Sequence, residues 1–81
     1  MTLTLFHTDG CHLCAAVEGI LLRLGGRFDF TLVRVDIASD PVAYARYATA
    51  IPVVWLDGIE VARYPVDEAV LARRLAAHGG P

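Results

Sequence analysis

The chain has 81 residues, 56% of them hydrophobic and 20% charged, with a formal net charge of −2. So short and apolar a chain is read as one small domain over residues 1–81, and its composition excludes disorder. Its basic residues are seven arginines and no lysine, without a basic patch, and no apolar run reaches the ~18 residues of a membrane span, so neither nucleic acid nor a bilayer is an expected partner.

Residues 2–7 alternate and are β-prone, and Gly10 breaks the run, which predicts a strand. From Cys11 or His12 to Leu24, the apolar positions Val17, Ile20, Leu21 and Leu24 recur as one face of a helix. Gly25-Gly26 is expected to stop it through the left-handed conformation. Phe28–Ile37 begins alternating and ends nearly continuously apolar, the pattern of a strand buried on both faces. Strand, helix and strand make a βαβ unit with parallel strands.

Asp40-Pro41 then supplies a cap and a first-turn proline for a second helix through Ala48, with Tyr44, Tyr47 and Ala48 on one side. Ile51–Leu56 is a third strand opening on Pro52, followed by the hairpin dipeptide Asp57-Gly58 and a fourth strand, Ile59–Tyr64, with one face partly exposed. Pro65 ends that strand. Asp67 caps a last helix to about Ala77, with Val70, Leu71 and Leu75 as its larger apolar contacts. The core therefore spans residues 2–77, and 78–81 form a frayed tail.

The only two cysteines, Cys11 and Cys14, stand as C-x-x-C where the first strand hands over to the first helix. Such a pair can form a disulfide, hold a metal or pack inertly. No secretory signal is visible, so the cytosol is the expected compartment, where structural disulfides are rare and a close pair reads as redox or metal chemistry.

The C-x-x-C at the head of the first helix, together with Ile51-Pro52-Val53 opening the third strand, resembles the thioredoxin-fold superfamily. The short length and the Gly10-Cys11-His12-Leu13-Cys14 opening are most similar to small bacterial glutaredoxin-like proteins. The resemblance implies an α/β, thioredoxin-like fold of glutaredoxin type: βαβαββα, a four-stranded mixed sheet with helices on both faces. It implies thiol-disulfide exchange on a disulfide-bearing protein or a glutathione mixed disulfide, by a monomer. It also implies a cis Ile51–Pro52 bond facing the cysteines, with His12, Leu13, Ile51 and Pro52 touching the substrate. Nothing in the sequence argues that Tyr64–Pro65 is cis.

Several positions depart from that pattern. Dithiol glutaredoxins carry Cys-Pro-Tyr-Cys and Thr-Val-Pro, where this chain has His12-Leu13 and Ala50-Ile51-Pro52. Their Gly-Gly and Asp glutathione grip falls on Ala62 to Asp67, where only Asp67 matches. The buried acid of thioredoxin falls on Leu5. Redox chemistry therefore transfers better than glutathione binding. No tightly bound cofactor and no resident metal are expected, and glutathione stands as the candidate electron donor.

A cysteine at a helix N-terminus meets unpaired N–H groups and the positive dipole end, which favour the thiolate that exchange requires. Cys11 takes that place and is expected to attack a disulfide sulfur. Cys14, in the same turn and more buried, is expected to resolve the mixed disulfide. His12 either supports the thiolate as a cation or is merely solvated. His7 ends the first strand nearby and is read as structural. Asp9 is read as a turn residue, and His78 as an uninvolved tail residue. The rival readings are a metal or iron–sulfur thiol module, which for zinc would need His7 or His12 as further ligands, and a non-catalytic interaction domain.

Overall fold

A computed structural model describes residues 1–78; the expected Gly79-Gly80-Pro81 tail lies outside the described residues. Strands β1 (Thr2–His7), β2 (Thr31–Asp36), β3 (Val53–Leu56) and β4 (Ile59–Arg63) form one sheet in the order β2-β1-β3-β4. Helices α1 (His12–Leu24), α2 (Pro41–Tyr47) and α3 (Glu68–His78) complete the expected βαβαββα order, with a 3₁₀ turn at Ile37–Ser39 ahead of α2. β1 runs parallel to β2, from Thr2 opposite Thr31 to His7 opposite Asp36, and antiparallel to β3, with Phe6 opposite Val53. β3 and β4 form an antiparallel hairpin. Its turn residues Asp57 and Gly58 have φ of 47° and 86°, the two positive values that the tightest hairpin turns require.

Strand alternation divides the core between the two faces of the sheet. Leu3 and Leu5 of β1 and Val54 and Leu56 of β3 pack with Val17, Leu21 and Leu24 of α1 and Leu71, Ala72 and Leu75 of α3. Phe6 and Val53 turn the other way, to Ile37, Ala43 and Tyr47. On that face the rings of Phe6, Tyr47 and Trp55 cluster with centroids 4.6–6.3 Å apart, and the half-buried Trp55 donates its Nε1–H to Tyr47 Oη at 3.0 Å. Each fully buried leucine or valine contributes about 1.5–3 kcal/mol through its removal from water.

Four expectations need correction. β2 is shorter than residues 28–37, and it is an edge strand with Thr31, Val33 and Arg34 exposed, not a strand covered on both faces. The seven-residue α2 buries only Ala43 and Tyr47, and it leaves Tyr44 56% exposed. Gly25 does not turn left-handed: its φ is −62°, and α1 closes through Arg27 N–H and Phe28 N–H, both donating to the Leu24 carbonyl at 2.9 Å. On α3, Val70 points outward and Ala72 takes its place in the core, because the inward stripe runs through Leu71 and Leu75. The remaining boundaries move by one or two residues. His78 becomes the last residue of α3, and Ile51-Pro52 precedes β3 without pairing in it.

Candidate active site

Three local decisions shape the cysteine loop. β1 ends at His7, whose partner Asp36 ends β2. Thr8 Oγ1 then donates to Asp36 Oδ1 at 3.1 Å, and the same oxygen accepts the Ala38 N–H at 2.9 Å, so the chain leaving β1 is tied to the chain leaving β2. Gly10 follows with φ 78°, a left-handed conformation that side chains resist, although a Cβ there would meet nothing within 4 Å. The constraint at Gly10 is thus the backbone turn itself. It reverses the chain so that Cys11 becomes the N-cap of α1.

Cys11 caps with its sulfur. Its φ and ψ are −85° and 102°, and Sγ accepts the Cys14 N–H at 3.2 Å, while its carbonyl accepts the Ala15 N–H at 3.1 Å. Cys14 extends the buried stripe of Val17, Leu21 and Leu24 one turn toward the helix start, and it is 3% exposed. Cys11 lies off that stripe and is half-exposed. The sulfurs are joined as a disulfide, with Cα atoms 5.2 Å apart. Cys11 is therefore the more accessible residue of the pair and Cys14 the more protected.

His12 and Leu13, in the first turn of α1, are exposed. Ile51 is half-buried and Pro52 buried, and their peptide bond is cis, as is Tyr64–Pro65. Pro52 directly precedes Val53, the partner of Phe6, so the proline loop reaches the same end of the sheet as the cysteine loop. The Pro52 carbonyl accepts the Tyr64 N–H at 3.4 Å, which brings Tyr64, 48% exposed, to that end too.

A cleft of about 230 Å³ opens beside the disulfide. Leu5 floors it, and His7, Asp9, Cys11, Cys14 and Glu18 line it. Glu18 is one turn after Cys14, and its carboxylate pairs with Arg34 of β2. His7 thus lines the same cleft as the cysteines, where the sequence alone suggested a structural residue. The signal was present in the alternation: Leu3, Leu5 and His7 share the α1 face of β1. Tyr64 and the Thr8–Asp36 bond were not read from the sequence, since both depend on strand register. Among the described residues, no group of three or more His, Cys, Asp and Glu side chains is placed to hold a metal ion. Asp67, the residue of the glutathione grip that matched, accepts the Val70 N–H at 3.1 Å as a cap.

The model of the glutaredoxin-like domain (DUF836) matches residues 2–76. No curated protein matches the chain in sequence. Among solved structures, the structural-genomics target protein XcR50 from X. campestris is 29% identical, with TM-score 0.77 over 98% of this chain and 99% of that one. Protein Ne2328 from Nitrosomonas europaea is 25% identical, with TM-score 0.78 over 91% and 89%. A thioredoxin mutant from Halobacterium salinarum is 22% identical, with TM-score 0.73 over 99% and 75%, a likeness of fold alone.

Proposed function

We propose that this chain, which belongs to the glutaredoxin-like domain family, is a thiol-disulfide oxidoreductase with Cys11 as nucleophile and Cys14 as resolving thiol. The carrying observation is the asymmetry of the pair: Cys11 is accessible and capped by the Cys14 N–H, while Cys14 is buried on the core stripe. In the reduced state the same N–H, with the free amides and dipole of the α1 N-terminus, favours a Cys11 thiolate. That thiolate attacks a substrate disulfide and forms a mixed disulfide. The Cys14 thiolate then attacks Cys11 Sγ, releasing the reduced substrate and closing the Cys11–Cys14 disulfide.

The substrate is a disulfide-bearing protein or a glutathione mixed disulfide, bound across His12, Leu13 and Ile51, with Pro52 shaping the loop. No helix among the described residues is long and apolar enough to cross a membrane, and the cytosol is the proposed setting, with glutathione the candidate electron donor. Cys14→Ser should trap a mixed disulfide through Cys11, visible by mass spectrometry and reversed by reductant. If Cys11 alkylates near pH 7 no faster than an ordinary free thiol, the oxidoreductase reading fails.

A further inference from the structure

Exchange through this pair requires that the Cys14 thiol lose its proton, and Cys14 is where losing it is hardest. It is 3% exposed, and burial disfavours the charged form of a thiol. Its N–H is directed at Cys11 Sγ rather than at its own sulfur. Leu5, the β1 residue of the α1 face that lines the same cleft as Cys14, takes no proton. The cleft beside Cys14 must therefore supply the acceptor.

Three titratable side chains other than the cysteines line that cleft: His7, Asp9 and Glu18. Glu18 is engaged by Arg34 from β2, an ion pair that already occupies its carboxylate. Asp9 is exposed, on the turn outside the strand. Carboxylates are in any case poor matches for a thiol, whereas an imidazole titrates between the two, where proton transfer near neutral pH is most effective. His7 is half-buried and held by strand pairing at its backbone, and it alternates onto the α1 face in line with Leu3 and Leu5. Its register partner Asp36 bonds Thr8 and Ala38. On the β3 side the ladder ends one residue earlier, at Phe6 opposite the uncharged Val53.

We propose that His7 is the proton acceptor for the Cys14 thiol, reached through the cleft, in the step that resolves the mixed disulfide. This inference rests on the dithiol exchange proposed above. The Cys14 S–H bond breaks and its proton passes to neutral His7, directly or through water, for which the cleft is roomy enough. The Cys14 thiolate attacks Cys11 Sγ, and the bond between Cys11 and the substrate sulfur breaks. The substrate leaves as a thiolate and takes up the proton from His7. The substrate disulfide is reduced by two electrons as the Cys11/Cys14 dithiol is oxidised. His7 thus does from the end of β1 what Leu5, in the same cleft, cannot.

The test is single-turnover reaction of the reduced protein with an aromatic disulfide reporter (dithiobis-nitrobenzoate), followed across pH. The first equivalent of released chromophore reports attack by Cys11, and the second, independent of reporter concentration, reports resolution by Cys14. His7→Gln should slow the second phase about tenfold or more, within the range of general-base effects, and remove an inflection from its pH profile. The first phase should change by no more than about twofold. In His7→Ala, added imidazole should restore the second phase, which a packing defect would not allow. Unchanged second phases, slowing by one factor at every pH without imidazole rescue, or equal slowing of both phases would each overturn the assignment. A wild-type second phase that depends on reporter concentration would instead defeat the dithiol reading, and the role of His7 with it.

Discussion

The two ends of the sheet carry similar polar side chains in different arrangements. At the end away from the cysteines, the β3–β4 turn is clasped shut. Asp57 Oδ1 accepts the Thr2 N–H at 2.7 Å, Oδ2 meets His78 Nε2 at 2.6 Å, and the Asp57 N–H donates to the Thr2 carbonyl at 2.9 Å. One residue thereby joins β1, the hairpin turn and the end of α3. At the cysteine end, His7 and Asp36 are register partners, yet Asp36 bonds Thr8 and Ala38 while His7 faces the cleft. Where a histidine and an aspartate bind each other they close the fold. Where the aspartate is drawn into loop capping, the histidine lines the cleft beside the disulfide.

Paired substitutions at the two ends sharpen this contrast, beginning with the largest effect. Cys11→Ser should reduce exchange with a disulfide reporter to the uncatalysed background. Its thermal midpoint under reducing conditions should shift by only about a few degrees, because Cys11 is half-exposed. Leu3→Ala and Leu5→Ala remove equally buried side chains from the same face of β1. Each should cost about 2–5 kcal/mol in urea denaturation. Only Leu5→Ala, which empties the floor of the cleft, should also alter the rate of resolution; equal effects on rate would break the comparison.

Glycines offer a second pair. Gly10 and Gly58 have φ of 78° and 86°, with room for a Cβ at both. Alanine at either should cost about 1–2 kcal/mol, the penalty for holding a side chain in the left-handed region. Gly10→Ala should also slow reporter reduction, by misplacing the Cys11 cap, whereas Gly58→Ala should leave it unchanged.

The clasp makes an acid-range prediction. The Thr2 N–H, and then the His78 bond, lower the Asp57 carboxyl below its ordinary value of 3.8. A group that titrates lower when folded contributes stability that is complete above its unfolded pKa and is lost as pH falls through the folded one. The urea midpoint should therefore fall as pH drops below about 4, and Asp57→Asn should flatten that limb. An unchanged limb would place the acid sensitivity elsewhere. The smallest effect belongs to the Glu18–Arg34 pair, which is partly exposed on both sides. Glu18→Gln should cost no more than about 1 kcal/mol, and less at high salt.

Much of this is legible in the sequence. The α1 stripe, the Asp40-Pro41 start, the Asp57-Gly58 turn and the Asp67 cap all rest on interactions within a few residues, and all are present in the structure. Three of the four errors share one cause, and the fourth is local: Gly25 keeps a right-handed conformation at the end of α1. Phe28 to Ile37 reads as a strand covered on both faces because it is apolar, but β2 lies at the sheet edge, and the two phenylalanines reach the core from the chain ahead of it. Tyr44 and Val70 fall on helices whose inward direction is set by what packs beneath them, not by their own hydrophobicity.

By itself, then, the sequence determined the element order and the placing of Cys11 and Cys14 at a strand–helix junction, because cap chemistry, turn dihedrals and helical period act over short stretches of chain. Only the tertiary structure decided which strand is the edge, that His7 shares a cleft with the cysteines, and that His78 joins Asp57. Those outcomes depend on strand register and on the packing of distant segments, where a shift of one residue would turn His7 to the opposite face.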